Sequence, residues 1–435
     1  MLRITDSGQT NPVCVVCNNC LYYPSKHVVL GRHMTPEQYF CNGSFAGIGA
    51  RLAHPKITKV QATFGFVMCL KGIANKSGRA YGSDYAFETG TRLGWRFLSG
   101  IYGWPDMPTS ACQQIMLPWN GFNGAQHKPD MGYFCALTEE CFGVARTFHS
   151  DWESLSPGEK KLMARNAQEV LGRTLRDPVR FLIAYTDGGQ VVGGTGLALK
   201  IAQHYGINIH NLGNESVLER IVLWLNQQLS ELSKRFDTDL NHYINDAIDN
   251  YVGLDKYVYS DIIEECEAGN YDVLIQMLSC QNVQGEGLAK SIVKLHPQVA
   301  EVNKQTSKGD RNKLGKYTSC SVVGKSGRKY DIVNLYGQYY WGRDEKVYAD
   351  YDAIRKALRL ISNDFKGKRI AIPKIGAGYA QGCWMTISSI IDSYLVGSDV
   401  TLVIKPNKEL NKKNVLIAAS DADSAEQHPQ RKFGF

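Results

Sequence analysis

The sequence predicts an α/β fold made of two Rossmann-like, three-layer units joined by a helical connector. Three observations carry this. Apolar runs of strand length end in glycine-bearing turns that open helical stretches, first over residues 44–212 and again over 269–407; that alternation belongs to mostly parallel sheets. Between them, VLERIVLWLNQQLSELSKRF (217–236) carries apolar residues at helical spacing. The length, 435 residues with 43% hydrophobic side chains, suits two or three domains better than one.

Taken in order, residues 1–43 form an N-terminal extension without periodicity. Cys14, Cys17 and Cys20 are followed by His27, His33 and Cys41, which makes the four cysteines zinc candidates. Zinc sites of this kind usually pair two CxxC turns, and Cys41 has no cysteine two residues away, so packing thiols are the alternative. No other cofactor is implied. The first unit, 44–212, includes a helix over 157–171, where Leu162, Val170 and Leu171 share a face. Residues 213–268 read as the helical connector. The second unit, 269–407, alternates a strand at 271–278, a strand at 331–335, a helix at 348–362, a strand at 369–373, a helix at 385–394 and a strand at 400–404. The last residues, 408–435, lack periodicity and read as a flexible tail.

The composition narrows the function classes. No run of about 18 apolar residues is present to span a bilayer, and the N-terminus lacks a basic segment followed by an apolar one. Twelve cysteines dispersed over the chain fit a reducing compartment rather than a secreted disulfide framework. The expected location is the cytoplasm. A net charge of +7 suits an anionic partner, either a nucleotide or a nucleic acid. The apolar face of 217–232 suits a homo-oligomer or burial against its own chain.

Three segments in the first unit place glycines where a strand ends and a helix begins: FAGIGAR (45–51), SGRAYGSDYAFETG (77–90) and VVGGTGLAL (191–199). Glycine lets the backbone approach a phosphate closely, and the amides of the following helix point at the anion. Asp84 and Glu88 lie four residues apart on the intervening helix, where they serve either a ligand or the fold. As a set these segments resemble the SLOG superfamily, the Rossmann-like group that includes the LOG enzymes and DprA. The match is to its phage and plasmid branch, and PWNGFNG (118–124), DWESLSPGEKKLMARN (151–166) and FLIAYT (181–186) add to it. The resemblance implies a nucleotide pocket with Gly47, Gly49, Arg51, Ser77, Gly78 and Arg79 around it. It puts Asp84 or Glu88 on a ribose hydroxyl and Gly193, Gly194, Thr195 and Gly196 on a phosphate. LOG-type hydrolases carry a glutamate in the last loop that assists glycosidic cleavage; here Lys200 stands at that position. A lysine cannot act as that carboxylate, so binding without hydrolysis is expected.

In the second unit, YDVLIQML runs into SCQNVQGEGLAKSI (279–292), and RIAIP runs into KIGAGYAQGCW (374–384). Two glycine-rich loops at neighbouring strand ends mark the place where an open α/β sheet binds its ligand. QNVQGEGLA and IPKIGAGYAQGCW resemble the two ligand loops of the macrodomain family, whose members bind ADP-ribose and in some cases hydrolyse its conjugates. That resemblance implies ligand contacts from Gln281, Asn282, Gly285 and Gly287 and from Ile375, Gly376, Ala377, Gly378 and Tyr379. It puts Asn282 on the distal ribose and makes Asp272 the candidate acid for adenine. The branch that uses a lysine nucleophile and an aspartate has Gln338 or Tyr339 and Ala380 at those positions here, so its chemistry does not transfer. Asn282 is the one catalytic candidate, with His296 near it in the chain as either a catalytic or a structural residue.

The function expected from both resemblances is binding, with or without hydrolysis, of ADP-ribose or an NAD-derived nucleotide, in a phage protein that counters nucleotide-signal or ADP-ribosylation defence. The alternatives are an ADP-ribose-phosphate phosphatase or ADP-ribosyl hydrolase, and a DprA-like protein that binds single-stranded DNA.

Overall fold

The computed structural model describes residues 3–4, 10–11, 34–249, 256–344, 346–395 and 397–406. Cys14, Cys17, Cys20, His27, His33 and the stretch 408–435 lie outside the described residues. Among the described residues no group of His, Cys, Asp and Glu side chains is placed to hold a metal, and no helix is long and apolar enough to cross a membrane. Two compact units form. The first gathers Met1–Gly253, Trp341–Arg355 and Gly376–Tyr394, and the second gathers Leu254–Tyr340, Lys356–Ile375 and Leu395–Phe435.

In the first unit the chain runs β1 (Ser44–Gly49), α1 (Pro55–Leu70), β2 (Ala74–Ser77), α2 (Ser83–Tyr102), β3 (Gln113–Met116), β4 (Tyr133–Phe134), α3 (Glu139–Phe148), α4 (Pro157–Leu171), β5 (Phe181–Tyr185), α5 (Gly193–His204) and β6 (Asn208–Asn211). Its sheet has the order β4-β3-β2-β1-β5-β6, and every pairing is parallel. Strand alternation sends Phe45 and Ile183 to one core and Ala46, Ile48, Leu182 and Ala184 to the other. Both faces are therefore covered by helices, which gives the three layers expected. Local signals set the ends: α4 starts on a capping box between Ser156 and Glu159 with Pro157 in its first turn. Helices α1 and α2 approach closely because both carry glycines at the crossing. A Cβ on Gly90 would sit 1.8 Å from the Ala62 carbonyl, and one on Gly65 would sit 2.4 Å from the Phe87 carbonyl.

The connector begins as expected with α6 (Glu215–Phe236) and continues with α7 (Leu240–Asp249); Leu225, Leu229, Leu232, Leu240 and Ile244 are buried in the first unit's core. Its end differs from the expectation. Tyr257–Tyr259 is a strand, β7, followed by α8 (Ile262–Glu267), and both belong to the second unit. A three-residue strand has too short a period to be read from sequence, and pairing to a neighbour supplies its register.

The second unit continues with β8 (Val273–Ser279), α9 (Gly287–Leu295), α10 (Gln298–Lys304), β9 (Tyr317–Val323) and β10 (Lys329–Gln338), then α11 (Tyr351–Asp364), which crosses from one unit's residues to the other's, and β11 (Arg369–Ile372). After α12 (Trp384–Tyr394), which belongs to the first unit, β12 (Asp399–Ile404) completes its sheet. The order is β9-β10-β8-β11-β12-β7. Only the edge strand β9 runs antiparallel to its neighbour; the other pairs are parallel. Leu274, Ile332, Ala371 and Val403 of its strands pack with Ile262, Ile292 and Val299 of its helices.

Candidate functional site

In the first unit the chain leaves β1 toward β2, β3 and β4, then returns to lay β5 and β6 on the other side of β1. The loops after β1 and β5 thus diverge at a topological switch point, where open α/β sheets hold ligands. Gly47 and Gly49 end β1, Arg51 follows with its side chain half exposed and 3.9 Å from Asp352, and the β5 loop leads to Gly193 at the start of α5. Val192, the N-cap, supplies no side-chain hydrogen bond to that helix, so nothing on the cap side chain satisfies the first amides. Gly193 has φ +62 and open space at its Cβ position, Gly194 has ordinary contact distances, and a Cβ on Gly196 would lie 2.7 Å from the Val191 backbone. Only glycine allows that last approach. Thr195 is half-buried and Lys200 is exposed.

The β2–α2 loop behaves differently, because Ser77, Gly78, Arg79, Asp84 and Glu88 are all buried. Ser77 donates to the Gly47 carbonyl at 2.6 Å. Asp84 accepts the Gly49 N–H at 3.0 Å and the Ala80 N–H at 3.2 Å, tying the β2 loop to the end of β1. Arg165 lies 3.4 Å from Asp84 and 2.8 Å from Glu169. Arg79, at φ 63, pairs with Glu88, which also accepts the Tyr133 hydroxyl. Burial pushes Asp84 up, opposed by Arg165 and the two amides. Burial would also raise Glu88, but Arg79 and Arg92 outweigh it and hold the carboxyl below its ordinary value. Both carboxylates, one or the other of which the resemblance put on a ribose hydroxyl, turn inward onto arginines. Within the same unit, Thr386 and Ser389 of α12 face this loop, at 3.4 Å from the Gly82 nitrogen and from Arg79. Arg165 and Glu169 are members of the cluster that sequence reading missed. Their signal was a helix that places an arginine and a glutamate four apart on its buried face.

In the second unit β8 and β11 are adjacent and parallel, with Val273 opposite Ile370, so the chain leaves both strands at one sheet edge. After β8, Cys280 is buried, Gln281 donates to the Tyr339 carbonyl at 3.2 Å, and Asn282 adopts the left-handed conformation with φ 58, which asparagine tolerates better than most residues. Asn282 donates to the Thr306 carbonyl at 2.8 Å, and its side-chain oxygen faces the Lys313 ammonium. Gly285 and Gly287 are exposed with open space at their Cβ positions, and Glu286 gives α9 no side-chain cap. On the β11 side, Ile375 is buried. In the first unit's residues, Gly376 (φ 70) accepts the Gly382 N–H at 2.8 Å, Ala377 is half-buried, and Gly378 and Tyr379 are exposed.

One expectation is corrected, and one alternative left open is decided. Asp272 precedes β8, at the strand's N-terminal end, and forms a two-point ion pair with Arg369. Seven strand residues separate it from the loop edge, roughly 23 Å at about 3.3 Å per residue, so it cannot meet a ligand held there. An acid that does stand at the loop edge is Asp261, just after β7, where it caps α8 through the Ile263 N–H at 2.9 Å. Reading 213–268 as helical hid it. His296 is likewise remote from the loops. It contacts Glu267 at 2.8 Å and Tyr330 at 3.1 Å, and Tyr330 is the second residue of β10. It is buried, and its place is structural.

The features together define a protein with two mostly parallel α/β sheets, each carrying glycine-rich loops at strand C-termini. No family model matches the chain. An uncharacterized 17.5 kDa protein from the tk-vs intergenic region of Enterobacteria phage T4 is 28% identical over 149 residues, which are 34% of this chain and 94% of that protein. Similar solved structures include the macrodomain of Mycobacterium tuberculosis DarG, at 19% identity over 35% of this chain and 97% of that one with a TM-score of 0.28. The macrodomain of Thermus aquaticus DarG matches at 15% identity over 35% and 97% with a TM-score of 0.27. Thermosipho africanus DarTG in complex with ADP-ribose matches at 17% identity over 32% and 40% with a TM-score of 0.26.

Proposed function

We propose that this protein binds ADP-ribose or a closely related nucleotide at the loop edge of its second unit. The observation that carries the reading is that β8, paired in parallel with β10 and β11, runs into a glycine-rich loop of the kind the sequence resemblance assigns to ADP-ribose. Gly285 and Gly287 leave room for a phosphate beside the uncapped α9 terminus, where backbone amides and the helix dipole favour an anion. Asn282 serves the distal ribose and Asp261 is the acid available for adenine. In the first unit, the exposed start of α5 and Arg51 offer a second phosphate site at the switch point. Lys200 leaves that site without the hydrolases' carboxylate, and its role is binding. The sequence resemblance and the phage relative together favour a role in neutralising an ADP-ribose-based host signal.

Isothermal titration of the full chain with ADP-ribose tests the reading. Micromolar binding that falls at least tenfold in Gly285→Glu supports it. Absence of heat with ADP-ribose would refute it, and salt-dependent binding of single-stranded DNA would then favour the DprA-like alternative.

A further inference from the structure

Against the loop after β8 lies a buried lysine from the segment between α10 and β9 that neither sequence resemblance assigns. Lys313 is only 6% exposed. Its ammonium contacts the Asn282 side-chain oxygen, lies 2.9 Å from the Thr306 hydroxyl and sits 4.9 Å from the centre of the Tyr336 ring. Burial lowers its pKa, opposed by the Cys280 and Asp310 side chains.

Counting hydrogens fixes what Asn282 can offer. The Thr306 hydroxyl has one proton. The Asn303 carbonyl, at 2.6 Å, is a closer acceptor for it than the Asn282 oxygen at 3.3 Å. Thr306 therefore donates to Asn303 and accepts from Lys313, which leaves Lys313 as the principal donor to the Asn282 oxygen. On the other side, the Thr306 carbonyl accepts one N–H of the Asn282 amide at 2.8 Å. A flipped amide would set NH2 against ammonium and oxygen against carbonyl, so the orientation is determined by its neighbours. One N–H of Asn282 remains, and its oxygen is engaged. Asn303 extends the network, donating to Gln284 at 2.9 Å and accepting from Tyr336 at 2.8 Å.

We propose that Lys313 is a positioning residue that locks Asn282 as a hydrogen-bond donor, so that this position reads an acceptor oxygen of the bound nucleotide, such as a distal ribose hydroxyl oxygen. The inference rests on the reading of this edge as an ADP-ribose site, and it adds the polarity of the contact and the residue that sets it.

The test measures ADP-ribose and ADP binding to the full chain for wild type, Asn282→Asp, Lys313→Met and Lys313→Arg. An aspartate can pair with Lys313 but cannot donate. Asn282→Asp should weaken ADP-ribose about tenfold, the worth of one good hydrogen bond, and leave ADP, which has the same diphosphate but no distal ribose, within about twofold. Lys313→Met should act in the same direction and Lys313→Arg should recover part of the loss. Unchanged ADP-ribose affinity in Asn282→Asp, or an equal loss for ADP, would overturn the proposal. NMR of the lysine ammonium in the protein alone decides the lock separately: a slowly exchanging Lys313 resonance that shifts in Asn282→Asp supports it, and a solvent-averaged one overturns it. Failure of wild type to bind either nucleotide would count against the ADP-ribose reading, and the ammonium spectrum would still decide the lock.

Discussion

Arg79 and Glu88 form an ion pair inside the first unit, and the Tyr133 hydroxyl donates to the same carboxylate oxygen. The pair joins the β2–α2 loop to α2 and replaces solvent for both charges. Removing one partner leaves the other buried without its nearest countercharge, at a cost of about 3–5 kcal/mol. Arg79→Met and Glu88→Gln should each destabilise by roughly that amount, and the double variant by less than their sum. Chemical denaturation of the four proteins measures the coupling.

Glu169 gives the first unit a pH dependence. Burial, opposed by Arg165 and reinforced by Asp84, pushes its carboxyl up to about 8. An unfolded glutamate titrates near about 4.3. The folded state thus binds the proton more tightly, so this group's stabilisation is complete below the unfolded value and is lost as pH rises toward the folded one, by at most about 1.4 kcal/mol per pH unit. Glu169→Gln should flatten the stability profile between pH values of about 4.5 and 8. Melting temperatures of both proteins across that range are the check, and an unchanged slope would contradict the assignment.

Gly285 lacks a heavy atom within 4 Å of a Cβ position and does not have the left-handed φ that disfavours side chains. Glutamate there meets no steric obstacle but brings a negative charge to a loop proposed to hold a diphosphate. Gly285→Glu should weaken ADP-ribose by about tenfold or more while thermal stability stays within about 0.5 kcal/mol. A loss of binding that tracks a loss of stability would point to the fold instead.

His296, Glu267 and Tyr330 are mutually bonded near the start of β10, at the sheet edge opposite the loops. Burial would raise Glu267, but bonds from His296, Tyr330 and the Lys325 amide hold it low. That lowered value stabilises the fold above the unfolded glutamate pKa, and the benefit disappears as pH falls through the folded one. His296→Ala should lower the melting temperature and leave the ADP-ribose affinity within about twofold. Calorimetry reads both quantities.

The sequence alone determined the α/β class, the strand at residues 271–278, the helix at 157–171 and the glycine-rich loops, because each is written in a short stretch through period and turn chemistry; it did not show that 341–355 and 376–394 group with the first unit. It also placed Asn282 at a strand end. Tertiary structure decided which side chains meet. Arg165 reaches Asp84 across 81 positions of chain, and Lys313 reaches Asn282 across 31; no local pattern encodes either partner. The same limit explains Asp272 and Asp261. Both are acids beside strands, and only strand direction and sheet order show that one stands behind the sheet and the other at its loop edge. Periodicity fixes what an element is, whereas polar partnership depends on which elements the packed core brings side by side.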